Sequence, residues 1–159
     1  KNRALIRQKV CRRTSALLYY DDEIAGYSRG DLDLFSCEGK MKKILIVDDE
    51  PMNIKVAEHI LHRDEAYEVC SAQSGEQTLE ILGREEVDMI LLDVKMPGMD
   101  GFETMRHIRN ESDIPVIFIS ADRDAEVEEK ARKAGAEGYL VKPLVPELLR
   151  RSVRGLLGE

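Results

Sequence analysis

Two apolar runs in this chain end in carboxylates. Lys43–Val47 (KILIV) passes directly into Asp48, Asp49 and Glu50, and Met89–Leu92 (MILL) stops at Asp93, ahead of a Pro-, Gly- and Met-rich loop that reaches Gly101. A short continuous apolar run bounded by turn residues reads as a strand buried on both faces. The aspartates then stand at the C-terminal edges of strands, where open parallel sheets place their chemistry. Like charges about 4 Å apart repel by roughly 4 kcal/mol at an effective dielectric near 20. Asp48, Asp49 and Asp93 brought together therefore need a cation or a proton. Mg2+ is the hard, oxygen-seeking choice, held by one or two carboxylates with several waters.

The elements that must position these carboxylates follow from Met41 onward, where strand and helix patterns alternate five times. Pro51 opens the first helix where its missing N–H is harmless, and Ile54, Val56, Ile60 and Leu61 are its apolar positions through about Arg63. Tyr67–Ser71 is a short strand. Ser74 and Gln77 form a capping-box signature for a second helix, with Leu79, Ile81 and Leu82 on its apolar side and Gly83 at its end. Met89–Leu92 is the third strand, about Phe102–Arg109 the third helix, and Pro115–Ile119 (PVIFI), ending at Ser120, the fourth strand. The fourth helix runs from about Asp122 to Ala134 and stops at Gly135. Tyr139–Val141 is the fifth strand, and Pro146–Leu157 the last helix. Five βα units with short, right-handed connections build an α/β, doubly wound, five-stranded parallel sheet.

At residues 41–159 the chain resembles the receiver domain of bacterial two-component response regulators. The resemblance rests on VDDE at 47–50, DVKMPGMDG at 93–101, IPVIFISA at 114–121 and GYLVKP at 138–143. It implies a flavodoxin-like (βα)5 fold with strand order 2-1-3-4-5. It also implies that Asp93 accepts a phosphoryl group from a phosphohistidine on a sensor histidine kinase or phosphotransfer protein. Asp49 would then ligate Mg2+ directly, Asp48 mainly through water, and the backbone carbonyl of Lys95 would complete the protein's share. Phosphoryl transfer asks mostly for positioning and charge neutralisation, and Lys142 is the second cation. The Ser120 hydroxyl is placed to donate to a phosphoryl oxygen, a charge-assisted bond. Tyr139 occupies the family's aromatic switch position, and Pro143 the place of a proline preceded by a cis peptide bond.

The same resemblance implies a switch rather than a turnover enzyme. Its output is a downstream protein target, or a homodimer formed on phosphorylation, engaged through the fourth helix, the fifth strand and the last helix. In that fourth helix only Val127 is a large apolar residue, with Ala125, Ala131 and Ala134 completing the stripe, so it is expected to be the most weakly anchored of the five. It is acidic at Glu126, Glu128 and Glu129, while the last helix offers Arg150, Arg151 and Arg154. Two other readings stay open. A haloacid-dehalogenase-like phosphatase also uses a strand-end aspartyl phosphate with magnesium, but Lys95 stands where its second acid is expected. A docking-only pseudo-receiver is disfavoured by the filled acidic, hydroxyl and lysine positions.

Composition narrows the classes further. The chain has 159 residues, 43% hydrophobic, enough for one sizeable core and an appendage. Cys11, Cys37 and Cys70 are scattered and lack CxxC spacing, which argues against a disulfide framework or zinc site and fits a reducing cytoplasm. No apolar run approaches a membrane span or signal peptide. The net charge of −7 divides unevenly: residues 1–40 carry 8 basic and 6 acidic side chains (+2), leaving 16 and 25 (−9) for the rest. An acidic body disfavours direct nucleic-acid binding. His59, His62 and His107 read as surface histidines, and no GxGxxG or Walker pattern supports nucleotide binding.

Residues 1–40 read as an N-terminal extension, a linker or part of an upstream segment, since Met41 stands where many single receivers begin. Ile6, Val10, Leu17, Tyr20 and Ile24 approximate a helical stripe, and six of the first thirteen residues are basic. An interdomain helix or weakly ordered leader is the plainer reading of that stretch, and Asp21–Lys40 reads as a polar linker. The chain's end immediately after the last helix leaves, on this reading, no room for a downstream output domain.

Overall fold

In the computed structural model, which describes residues 7–11, 16–20, 41–63 and 67–158, the uninterrupted apolar runs form the interior strands of a sheet. The chain divides into two units, Lys1–Met41 and Lys42–Glu159. In the first, β1 (Arg7–Cys11) and β2 (Ala16–Tyr20) pair antiparallel. This corrects the helical stripe expected there: Val10 and Leu17 are cross-strand partners. The physical reason is that β-branched and aromatic residues such as Val10, Tyr19 and Tyr20 favour the pleated strand over the helix. Ile6, Ile24 and Asp21–Lys40 lie outside the described residues.

The second unit alternates β3 (Lys42–Val47), α1 (Pro51–Leu61), β4 (Tyr67–Ala72), α2 (Gly75–Leu82), β5 (Met89–Asp93), α3 (Gly101–Glu111), β6 (Val116–Ser120), α4 (Ala125–Lys133), β7 (Gly138–Val141) and α5 (Pro146–Leu157). The strands are all parallel in the order β4-β3-β5-β6-β7, which is 2-1-3-4-5 counted within this unit. β5 and β6 are buried throughout, while the edge strand β7 is only half-buried.

Side chains alternate across the sheet, as the strand period of two requires. Ile44, Ile46, Met89, Leu91, Ile117 and Ile119 face α1 and α5, where Ile54, Ile60, Leu61, Leu149 and Val153 cover them. Leu45, Val47, Ile90, Leu92, Val116 and Phe118 form the opposite face with Met105 and Ile108 of α3 and Ala131 of α4. Val56, expected on the apolar stripe, is instead exposed, and Ala57 is buried in its place. Two residues from Ile54 is about 200° of helix turn, so Val56 points away from the sheet.

Helix ends follow their local chemistry. Ser74 Oγ accepts from Gln77 N–H, while the Gln77 side chain accepts from the N–H of Gln73, one residue earlier than the usual capping box returns. Gly83 ends α2 in a right-handed conformation, so its freedom at positive φ is not used. α4 starts at Ala125, later than the expected Asp122. Asp124 caps it through Glu126 N–H, and Asp122 in turn accepts from Asp124 N–H. Ala125, expected in the buried stripe, lies exposed on this first turn; Ala131 alone in α4 is fully buried, with Val127 and Ala134 half-buried.

The far end of α4 is tethered. Arg109 at the end of α3 donates to the carbonyls of Ile114 (2.7 Å) and Gly135 (2.8 Å) and to the Glu137 carboxylate (3.1 Å). Glu137 also accepts from Val116 N–H (2.7 Å), so α3, α4 and the start of β6 meet in one polar cluster. No helix among the described residues is long and apolar enough to cross a membrane.

Candidate functional site at the carboxyl edge of the sheet

β3 and β5 are neighbours in register, Val47 beside Leu92, so the residues that follow them emerge at one edge. Asp48, Asp49 and Asp93 each place a carboxylate oxygen within 4.8 Å of the others. Asp48 and Asp93 are each 4% exposed, and Asp49 is open to solvent. β7 delivers the compensating charge. Lys142, immediately after Val141, reaches Asp48 Oδ2 at 2.6 Å and Asp93 Oδ1 at 2.8 Å.

The three acids are not equivalent. Asp48 Oδ1 already accepts from Glu50 N–H (2.9 Å) and Asn53 Nδ2 (3.0 Å), while its Oδ2 takes Lys142. Asp49 has no side-chain partner among the described residues, so its carboxylate could hold a cation. The donor set is hard oxygen throughout, which fits Mg2+ and offers nothing to a soft metal. Burial pushes the Asp93 carboxyl above its ordinary value; the hydrogen bond and charge of Lys142 pull it down, and the charges of Asp48 and Asp49 push it up again. Burial works to lower Lys142, but its hydrogen bonds to Asp48 and Asp93 outweigh this and hold the ammonium above its ordinary value. The site's own residues thus set one lysine against three acids.

The loop after β5 is packed hard against the site. Val94 N–H donates to Ile119 O, and Gly101 N–H returns to Val94 O at 2.9 Å. A Cβ on Gly101 would lie 2.2 Å from the Asp93 carbonyl oxygen, so only glycine fits where α3 begins. Lys95 follows on this loop with its side chain largely exposed, pairing with Asp122 at 3.3 Å.

Ser120, at the end of β6 beside Val141, is 1% exposed, and its Oγ accepts from Asp122 N–H at 3.0 Å. Tyr139 is half-buried against the α3/α4 side of the core, with its hydroxyl donating to the Asp122 carbonyl at 2.9 Å. The Lys142–Pro143 peptide is cis. The structure thus brings Asp48, Asp49, Asp93 and Lys142 into one cluster, and ties Ser120 and Tyr139 together through Asp122.

Sequence reading missed Asn53 and Asp122. Asn53 looks like an ordinary polar residue in the first turn of a helix, and the signal that it faces Asp48 is only its spacing five residues on. Asp122 is one acid among several around the start of α4. Of the arginines of α5, Arg150 is engaged with Glu147 and mostly buried, while Arg151 is exposed.

Comparison with known proteins agrees with this architecture. The family model described as "Response regulator receiver domain" matches residues 44–154. The "Probable transcriptional regulator ycf27" of Cyanophora paradoxa is 40% identical over 116 residues, covering 73% of this chain and 48% of that protein. A "Protein-glutamate methylesterase/protein-glutamine glutaminase 1" of Syntrophus aciditrophicus is 41% identical over 109 residues, 66% of this chain and 31% of that one. The chain spans about half the length of the ycf27 relatives it matches, or less for the methylesterase. Among solved structures, the chemotaxis protein CheY4 of Vibrio cholerae aligns with a TM-score of 0.68 at 33% identity, over 73% of this chain and 98% of that one. The CheY-like receiver domain protein of Methanospirillum hungatei aligns with a TM-score of 0.68 at 28% identity, over 74% and 94%. With the sheet order, the acidic edge and this match over most of its length in agreement, the chain belongs to the response regulator receiver domain family.

Proposed function

We propose that this chain is a phosphorylation-controlled signalling module in which Asp93 takes a phosphoryl group from a phosphohistidine on a sensor histidine kinase or phosphotransfer protein, in the cytoplasm. The observation that carries this reading is the placement of Lys142, 2.8 Å from Asp93 and 2.6 Å from Asp48, beside three carboxylates whose oxygens lie within 4.8 Å of one another. An Asp93 oxygen forms the O–P bond as the P–N bond to the donor imidazole breaks and the bonding pair stays on nitrogen. Lys142 engages Asp93 Oδ1, which leaves Oδ2 for the transfer. Mg2+, when bound, neutralises the charge spread over the transferring oxygens.

This chain's own residues set the stage for that ion. Asp49, the open carboxylate, would hold it directly. Asp48, already holding two donors and Lys142, acts mainly through water and by fixing the lysine. The Lys95 carbonyl would complete the protein's share. Ser120 takes a phosphoryl oxygen through its hydroxyl proton, and Tyr139 with α4 and α5 carries the change to a downstream protein or a second copy. The module is a switch, not a turnover enzyme.

Acetyl phosphate with Mg2+, followed by intact mass measurement, tests this reading. One phosphoryl group should be added to the wild type and none to Asp93→Asn. Stoichiometric labelling of the Asn variant at another residue would remove Asp93 from its role.

A further inference from the structure

Asn53 is the third residue of α1, half-buried, and its side chain does not cap that helix. A side chain at this position commonly reaches back to the N–H of the capping residue, here Glu50. That N–H is taken instead by Asp48 Oδ1 at 2.9 Å, and the Asn53 amide nitrogen donates to the same oxygen at 3.0 Å. Glu50 gives the helix start no side-chain hydrogen bond in return. Asparagine is also a weak helix former, so helix stability does not account for this residue. The start of α1 thus turns two donors onto one carboxylate oxygen of the acidic cluster. A carboxylate is planar, and holding one oxygen from two directions also fixes the line of the other. Asp48 Oδ2 is thereby aimed at the Lys142 ammonium, 2.6 Å away, and the same ammonium reaches Asp93 Oδ1 at 2.8 Å. Asp48 is 4% exposed, and a buried acceptor that loses a donor is left short of one. Asn53 and Asp93 therefore stand at the two ends of one chain of charge-assisted hydrogen bonds, with Asp48 and Lys142 between them.

We propose that Asn53 is a positioning residue for the acidic site: acting through Asp48, it aims the Lys142 ammonium at Asp93 Oδ1. The aiming stands on the geometry alone. Its effect on phosphoryl transfer rests on the phosphoacceptor role proposed for Asp93. With the amide in place, Lys142 is shared between two fixed oxygens, and Asp93 Oδ2 stays clear of it. Without the amide, Asp48 Oδ1 keeps only the Glu50 N–H and the carboxylate can turn. The ammonium then follows Asp48 Oδ2 and its line to Asp93 Oδ1 is lost.

The test is NMR on the full chain with labelled lysine side chains, first with chelator and no phosphodonor. Asn53→Leu keeps the size of the side chain and removes the amide, and it should move the Lys142 Cε signals. Asn53→Gln, which keeps the amide, should return them toward wild type. In an Asp48→Ala background the Leu change should move them no further, because the path is gone. Unchanged Lys142 signals in Asn53→Leu, or the same displacement with and without Asp48, would overturn the aiming and leave Asn53 a part of the helix alone. Should Asp48→Ala not fold, Lys142→Met gives the reciprocal measurement: the Asn53 side-chain amide signals should move, and their staying in place would overturn the aiming equally. Acetyl phosphate at saturating Mg2+, followed by intact mass, then tests the effect on transfer. Asn53→Leu should take up its phosphoryl group about tenfold more slowly than wild type, the loss expected from one charge-assisted hydrogen bond. An unchanged rate beside displaced Lys142 signals would overturn that effect. No uptake at Asp93 by the wild type would remove the phosphoacceptor reading instead, and the aiming is then decided by the NMR arm.

Discussion

Asp49→Asn separates charge repulsion from metal binding. The Asp49 carboxylate lies within 4.8 Å of those of Asp48 and Asp93. At that spacing each pair repels by about 0.9 kcal/mol in bulk water and about 3.5 kcal/mol at an effective dielectric near 20. Asp49 is exposed, so the lower figure governs, and attraction to Lys142 subtracts from the sum of two pairs. Removing the charge should stabilise the metal-free domain by about 1–2 kcal/mol, or roughly 3–6 °C in Tm per kcal/mol for a domain of this size. Magnesium acts in the opposite direction on the comparison. At about ten times its Kd it stabilises the wild type by about 1.4 kcal/mol, whereas a roughly hundredfold weaker site gains under about 0.1 kcal/mol. Thermal unfolding with chelator and with Mg2+ should therefore show the variant ahead without metal and its advantage largely erased with it. An equal Mg2+-induced rise in both proteins, or a variant less stable than wild type in chelator, would refute the assignment of Asp49 as the open ligand.

Two further outcomes are expected. Because burial raises the Asp93 carboxyl in the folded, metal-free protein, the folded state holds its proton more tightly than the unfolded chain does. Its stabilising contribution is present below the unfolded value near 3.9 and is lost as pH rises through the folded value. Urea unfolding in chelator should show Asp93→Asn gaining on wild type as pH rises from about 4, and a difference independent of pH would contradict this. Gly101→Ala should destabilise the domain by about 2 kcal/mol or more in denaturant titration, because its Cβ would lie 2.2 Å from the Asp93 carbonyl oxygen; a change within about 0.5 kcal/mol would show that the loop yields.

Strands were the most legible part of the sequence. KILIV, MILLD and PVIFIS are continuous apolar runs because helices cover both faces of the sheet, and the strand ends then locate Asp48, Asp49 and Asp93. Lys142 was legible through its motif, but its bridging of two particular oxygens depends on how β7 seats beside β6. Asn53 and Asp122 were not legible, since each works through a contact set by a neighbouring loop, and polar residues near helix starts are common for capping alone. Val56 and Ala125 were misplaced because an apolar residue in a helix is inward only if its angle around the axis agrees. The N-terminal stripe failed for a related reason: a few apolar positions spaced about four apart also fit two short antiparallel strands.

The polar cluster around Arg109 gives α4 the mechanics of a door. Its C-terminal end is hung on Gly135 and Glu137, while among the described residues its N-terminal end is fastened through Asp124 and the half-buried Val127. At about 1.5 Å per residue, the nine residues of α4 make an arm of roughly 13 Å. A swing of about 10° at the hinge carries the Glu126 end by about 2 Å and leaves Lys133 almost where it was. A partner that gripped the first turn of α4 would feel the full stroke, and one that gripped the last turn a fixed post.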